Sequence, residues 1–473
     1  VSLSDRLFAS PLVTLAQRAL GGGGDAWIAG GAVRDAALGH EVTDLDLAVA
    51  GDPEQAARAI AREGGGHAFE LSAEFATWRA VAVNHSWQVD ATALRGGSIE
   101  EDLAARDFTL GAVAVPLEGG DPVDPHGGLA DLERGVLRVV GDGSFAADPL
   151  RLLRAARLAA DLELEIDPGT RSLARAEARR AAEAAGERQL AELRRLVGGP
   201  DPLRGIALLD ELDLTRAILP ELEALRGVEQ GPNHHLDVHG HTRAVLERLL
   251  EVEADLERFA GERAAQTREL FEEPLADEMT RRTALRFGAL LHDIGKPATR
   301  GEREGYVTFI GHDRKGAEMV AALCGRLHTS RTLSRHLQAL TLNHLRLGFL
   351  VHEAPLPARR VHEYLRATEP VAADVTLLTV ADRLSARGSG PLASEQAIEA
   401  HLRLAREMLA AALDWRHDGP PDPLVRGDDL ASELGISGGP ELGNLLAELE
   451  AAQYAGEIRT REEAIDRARL LRS

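Results

Sequence analysis

The chain has 473 residues, more than a single hydrophobic core usually serves, so three or four domains are expected. Its 44% hydrophobic and 27% charged content suits a globular protein, and one cysteine, Cys324, excludes a disulfide framework and a cysteine-based metal cluster. A net charge of −22 speaks against a broadly basic nucleic-acid surface and leaves room only for a local positive face.

No apolar run approaches the roughly 18 residues of a membrane span and no signal-peptide pattern opens the chain, so the expected location is cytoplasmic, with no membrane partner. The basic residues are nearly all arginine, with lysine only at Lys296 and Lys315. The planar guanidinium fork suits phosphates and base edges.

Residues 1–140 carry the strand signals. AWIAGGAVRD reads as a short strand, a glycine turn and a helix start, and TDLDLAVA alternates with period two like a half-buried strand. WRAVAVN, WQVDATAL, FTLGAVAVP and VLRVVG are further strand candidates, and 53–64 is a helix between them. From Asp148 onward the pattern is helical: DPLRLLRAARLAADL places Leu and Ala on one face and Arg on another, and 171–198 and 202–227 continue it. The histidine-rich GPNHHLDVHGH near 231–241 marks a boundary. The charged stretch 253–281 reads as a solvated helix pair, and the Pro-rich HDGPPDPLVRG at 417–427 as a linker before a small helical tail.

Asp44 and Asp46 stand two apart on a strand and so point to one face, where two carboxylates can share a pair of divalent ions suited to phosphoryl transfer. Magnesium fits such an oxygen site. Gly30 and Gly31 come just before, with Gly31 13 residues ahead of Asp44, and a glycine pair lets backbone amides approach a triphosphate. Arg34 and Asp35 follow at the helix start, and Asp90 on a later strand is a candidate third carboxylate. Asp148 and Arg151, read as one helical turn apart, can offer an acceptor and a donor to one base edge.

In their order these pieces resemble the class II CCA-adding enzymes and bacterial poly(A) polymerases of the DNA polymerase beta superfamily. Gly30, Gly31, Arg34, Asp35, Asp44 and Asp46 resemble the metal and triphosphate motif, and Arg106, Asp107, Phe108 and Thr109 the motif that reads the ribose. Asp124, Gly127, Gly128 and Asp131 resemble the turn from head to neck. Asp148, Arg151 and Arg154 resemble the base-reading helix, and Glu187, Arg188 and Glu192 the motif that supports it. The tail from Pro423 onward resembles the family's C-terminal segment. The chain departs from the pattern at Ala105, Ala147 and Leu110–Gly111–Ala112. Its stretch RGGSIEED, from Arg95 to Asp102, is short in the manner of enzymes that stop after CC.

His241, His292–Asp293 and Asp382 follow the order of the HD phosphohydrolase superfamily, a set suited to Mn, Ni, Fe or Zn. His312 and His344 are candidates for a second metal position, and Lys296 for a phosphate. The resemblance implies phosphatase and 2′,3′-cyclic phosphodiesterase activity for that domain.

The expected fold is α+β: a polymerase-beta-like mixed-sheet head at 1–140, a helical neck and body at 141–230, an HD domain at 231–400 and an RNA-binding helical tail at 401–473. The expected activity is two-metal addition of CCA, or part of it, to tRNA 3′ ends from CTP and ATP, with Mg2+ in the transferase site, a second divalent metal in the HD site and no DNA partner. The alternatives are CC addition alone, poly(A) synthesis, and an HD hydrolase with an inactive transferase head.

Overall fold

The structure is a computed structural model that describes residues 2–21, 25–73 and 76–472. The chain is α+β and divides into two compact units, Val1–Ile218 and Leu219–Ser473. The short helix Pro220–Glu223 belongs to the second unit, where Arg326 forks onto Glu221 at 2.9 and 3.0 Å.

The first unit is built on a six-stranded mixed sheet. Its strands are β1 (Ala26–Ala29), β2 (Asp44–Val49), β3 (His67–Ser72), β4 (Thr77–Val81), β5 (Gln88–Ala93) and β6 (Ala114–Pro116), in the spatial order β3-β4-β5-β2-β1-β6. Only β2 and β5 run parallel. The helices are α1 (Leu3–Phe8), α2 (Pro11–Leu20), α3 (Gly31–Leu38), α4 (Pro53–Glu63), α5 (Ile99–Ala104) and α6 (Gly128–Glu133). Strand alternation decides the two faces. Leu45, Leu47 and Val49 join Val89 and Ala91 in a core with Leu12, Val13 and Ala16 of α2 and Ala57 and Ile60 of α4. Asp44 and Asp46 take the opposite face, where Ala48 packs with Ile99 and Leu103. A slip of one residue in β2 would turn the carboxylates into that core.

Three strand expectations change. VLRVVG contributes only Val136 and Leu137, which pair with Glu165–Ile166 outside the main sheet. FTLGAVAVP is half a 3-10 turn, Thr109–Gly111, because Gly111 and Ala112 amides return to Phe108 and Thr109 carbonyls. β3 was not anticipated: its exposure on both faces removes the alternation that would have marked it.

The turn after the head is held by side chains. Asp124 accepts from the Gly128 and Leu129 amides at 2.7 and 3.0 Å, and buried Asp131 accepts from Thr109, Arg134 and Arg138. A Cβ on Gly128 would lie 2.0 Å from the Thr109 carbonyl oxygen, so only glycine fits there. Beyond it, α7 (Arg151–Asp161) buries Leu152, Leu153 and Ala156 and packs on α8 (Gly186–Gly198).

The second unit is helical. Its main elements are α9 (Val238–Ala254), α10 (Arg281–Leu291), α11 (His312–Arg326), α12 (Arg331–Asn343), α13 (Ala372–Ser385), α14 (Glu395–Asp418) and the tail helices α15 (Gly427–Leu434), α16 (Pro440–Tyr454) and α17 (Arg461–Arg472). The tail has its own small core around Leu430, Leu445 and Leu449. The charged stretch 253–281 is not a solvated helix pair. Leu256, Phe259 and Phe271 are buried, and it ends in a hairpin of Pro274–Ala276 with Met279–Thr280. Among the described residues no helix is long and apolar enough to cross a membrane.

Candidate functional site

Asp44 and Asp46 stand on β2, and Asp90 faces Asp46 across the parallel β2–β5 ladder. Three carboxylates thus share one sheet face. Gly30 turns the chain into α3 at φ 69°, a conformation that favours glycine. A Cβ on it would meet Arg106 Nη1 at 3.0 Å and Asp46 Oδ2 at 3.1 Å. The glycine therefore lets the Arg106 guanidinium approach the Asp46 carboxylate. Asp46 is recessed among protein atoms though solvent reaches it; that crowding and the neighbouring Asp90 push its carboxyl above the ordinary range, against Arg106 and the Gly31 amide. Asp90 is engaged by Arg79, with Nε on Oδ1 and Nη2 on Oδ2, both at 2.7 Å.

A cleft of about 360 Å³ runs from these residues to the neck, lined by Gly30, Gly31, Arg34, Asp46, Arg95, Arg106, Asp107, Asp148, Arg151, Arg154 and Arg188. It brings together the residues singled out for triphosphate, sugar and base, apart from Asp44 and Asp90 at its carboxylate end. Arg34 is paired with Asp35 at 2.7 Å. Arg154 pairs with Asp107 at 2.9 Å.

Asp148 and Arg151 both line the cleft but do not stand one turn apart on a helix. Asp148 precedes the helix, accepts from the Leu150 amide at 3.1 Å and pairs with Arg188 at 2.8 Å. Arg188 holds its carboxyl below the ordinary range although partial burial works the other way. Arg151 is anchored instead to the Ala105 carbonyl at 2.9 Å, the Arg106 carbonyl at 3.3 Å and Ser144 Oγ at 3.0 Å. The two side chains share the cleft without sharing a salt bridge.

Asp102 was not anticipated as part of the site. Buried at α5, it accepts from Arg106 Nε at 3.0 Å and the Arg95 amide at 3.2 Å. It fixes the arginine that faces Asp46. Its signal was its place four residues before Arg106, a spacing that brings the pair together across the end of α5.

The second cluster lies at helix ends. His241 is in the first turn of α9, His292 and Asp293 follow α10, His312 opens α11, His344 follows α12, and Asp382 is in the last turn of α13. His292, His312 and His344 each donate Nδ1–H to a backbone carbonyl, of Ala289, Phe309 and Thr341. Ser385 donates to the Asp382 carbonyl and so accepts from His241 Nδ1. A carbonyl can only accept, so in its neutral form each of the four rings keeps an Nε2 lone pair inward. Neutral rings then set lone pair against lone pair: His241 Nε2 is 3.1 Å from Asp382 Oδ1, His292 Nε2 3.1 Å from Asp293 Oδ2, and His312 Nε2 3.2 Å from His344 Nε2. Nε2 of His241 and His292 are buried without a hydrogen bond. Cations fit these positions. The donors group as His241, His292 and Asp382, and as Asp293, His312 and His344, each set within 4.8 Å. Asp293 faces both: Oδ2 looks to His292, Oδ1 to His312 at 3.3 Å and His344 at 3.7 Å.

Burial, His292 and His312 keep His344 down to about 4, and burial keeps His241 down despite Asp382. Burial works against the charged form of His292, but Asp293 outweighs it and leaves that ring above its ordinary value. Burial would raise Asp293, yet His292 and Lys296 hold it well below the carboxylate range. Lys296 is 2.6 Å from Asp293 Oδ2 and donates to Gln230 at 2.7 Å. A Cβ on Gly295 would lie 2.2 Å from the His312 carbonyl oxygen, which explains a glycine beside Lys296. His234 was missed: its ring is edge-on to His241 at 4.5 Å, and burial, His241 and Lys296 lower it to about 4. Within a histidine-rich run nothing distinguishes it from His235.

Comparison with known proteins agrees with this geometry. Residues 26–138 match the poly A polymerase head domain, 163–225 the probable RNA and SrmB-binding site of polymerase A, and 238–387 the HD domain. The chain is 37% identical over 446 residues to an A-adding tRNA nucleotidyltransferase of Deinococcus radiodurans, covering 92% of this chain and 93% of the relative. It is 33% identical to a CC-adding tRNA nucleotidyltransferase of Thermus thermophilus, covering 93% and 92%. In fold it is similar to the Thermotoga maritima CCA-adding enzyme complexed with tRNA (TM-score 0.61, 20% identity, 100% and 99% covered). A CCA-adding enzyme in complex with CTP is also similar in fold (TM-score 0.64, 19% identity, 100% and 98% covered). Nucleotidyltransferase heads and HD domains are both users of divalent metals. A relative this similar along nearly its whole length makes the chain a member of the tRNA nucleotidyltransferase family, an enzyme with a poly A polymerase head and an HD domain.

Proposed function

We propose that this enzyme adds the CCA end, or part of it, to tRNA in the cytoplasm, using CTP and ATP. The observation that carries this reading is the meeting of Asp44 and Asp46 with the Gly30–Gly31 turn and Arg106 at one end of a cleft whose other end holds Asp148 and Arg151. Two Mg2+ ions bound by the carboxylates would lower the pKa of the RNA 3′-hydroxyl and neutralise the pyrophosphate leaving group. Asp44 and Asp46 hold those ions, with Asp90 beside them. Gly30 and Gly31 leave the triphosphate room, and Arg34 and Arg106 offset its charge. Asp107 orients the sugar. Asp148 accepts from the exocyclic amine that cytosine and adenine share, and Arg151 and Arg154 donate to the rest of the base and its phosphates. Positioning and charge supply most of the rate.

The four-part division into head (1–140), neck and body (141–230), HD domain (231–400) and tail (401–473) assigns the last and the neck to grip of the tRNA backbone. The HD site is a second centre. His241, His292 and Asp382 hold one Mn, Ni, Fe or Zn ion, and Asp293, His312 and His344 a second, with Lys296 on a phosphate; inward Nε2 lone pairs support this. Its chemistry is hydrolysis of phosphate esters, including 2′,3′-cyclic ends, at RNA termini.

The test is to incubate tRNA lacking CCA, and tRNA already ending in CC, with each labelled triphosphate and sequence the products. Addition of C, CC, A or CCA supports the reading and fixes the product; a long A tail or no extension contradicts it.

A further inference from the structure

Arg79, Asp90 and Asp46 lie in one row across three strands. Arg79 faces Asp90 in the antiparallel β4–β5 pair, and Asp90 faces Asp46 in the parallel β5–β2 pair. Of the two adjoining rows on that face, one is uncharged, with the Thr77 and Thr92 hydroxyls 3.0 Å apart, and the other carries Asp44 opposite Gln88. Arg79 is therefore in line with the carboxylates and on the side of Asp90 away from Asp46.

Its grip is a fork. Nε meets Oδ1 and Nη2 meets Oδ2, each at 2.7 Å, and the side chains are 27% and 16% exposed. Bidentate contact of this kind fixes the plane of a carboxylate as well as its charge. Each carboxylate oxygen has two lone pairs, and the fork takes one from each. The remaining pairs stay available to a cation beside Asp46. The fork also sets a positive charge against the repulsion between Asp46 and Asp90, on the opposite flank from Arg106.

We propose that Arg79 is a positioning residue of the transferase centre, holding Asp90 in one orientation as a further oxygen ligand for the divalent cation bound at Asp46. This rests on the reading of Asp44 and Asp46 as metal ligands. A bare structural ion pair would act on stability alone; a positioning pair acts on metal affinity, and only through Asp90.

A double-mutant cycle tests it in the full-length chain, with Arg79→Met, Asp90→Asn and the double variant. Mn2+ binding is followed by electron paramagnetic resonance without tRNA, and the sites lost in Asp44→Ala/Asp46→Ala define the transferase signal. Expected are about 10-fold weaker Mn2+ binding and about 10-fold lower kcat in Arg79→Met, with KM for the triphosphate within about twofold. The double variant should be no worse than Asp90→Asn. Arg79→Lys, which keeps the charge and loses the fork, should resemble Arg79→Met and stands in for it if that variant unfolds. Additive losses, or Mn2+ binding unchanged in Arg79→Met and Arg79→Lys, would overturn the proposal. Failure of Asp44→Ala/Asp46→Ala to remove any Mn2+ signal would instead overturn the reading beneath it.

Discussion

Arg157 on α7 and Glu192 on α8 form a buried ion pair, Nε to Oε2 at 2.6 Å, with 10% and 6% of the side chains exposed. Breaking a buried pair strands a charge and costs about 3–5 kcal/mol. Arg157 keeps a second partner, Asp161 at 3.0 Å, so Glu192→Ala should fall near the lower end. Urea unfolding of the first unit measures it. The pair joins the helix of Arg151 and Arg154 to the one that carries Arg188, so nucleotide selection should also loosen.

Arg188 and Asp148 give a sharper readout. Asp148→Ala removes the acceptor for a base amine and should reduce preference for CTP or ATP over UTP by about 10-fold, with Mg2+ dependence unchanged. Arg188→Ala leaves the acceptor in place but unheld and should cost less discrimination. Competition between labelled triphosphates measures both.

The HD cluster predicts metal stoichiometry. Asp293 faces both donor sets, so Asp293→Ala should empty both positions, whereas His344→Ala should remove one ion. Elemental analysis after dialysis against Mn2+ or Ni2+ counts them. Nucleotide transfer should persist in both variants, because these residues lie in the second unit.

Acid should weaken the second unit through His401. Burial and Arg383 lower this ring to about 4, and it meets Thr379 Oγ1 at 3.2 Å. Between pH 6.5 and 4 the unfolded chain takes up a proton that the folded chain refuses. Stability is thus full above 6.5 and declines as pH falls toward 4. In EDTA, His401→Phe should flatten this part of the Tm–pH curve, and a curve as steep as wild type would assign the loss elsewhere.

Much of the site is readable in the sequence because its logic is local. A period-two strand puts Asp44 and Asp46 on one face, and a glycine pair marks a turn whatever surrounds it. The order His, His-Asp, Asp likewise survives without coordinates. Partners are harder. Spacing puts Asp148 and Arg151 one helical turn apart, yet the helix begins only at Arg151 and Asp148 pairs with Arg188, 40 residues on. The shared position of Asp293 depends on five helices meeting at their ends, which spacing does not encode. β3 escapes notice because exposure on both faces leaves no hydrophobic period.

The central claim is that Asp44 and Asp46 carry nucleotide transfer. Its most direct test is single-turnover extension of tRNA lacking CCA or ending in CC, whichever the wild-type enzyme extends, by the Asp44→Ala/Asp46→Ala double variant, alongside Mn2+ binding. The account predicts a loss of at least about 1,000-fold in rate, since removing metal ligands removes most of the charge stabilisation, with the fold intact by circular dichroism. Extension at the wild-type rate by that variant would contradict it.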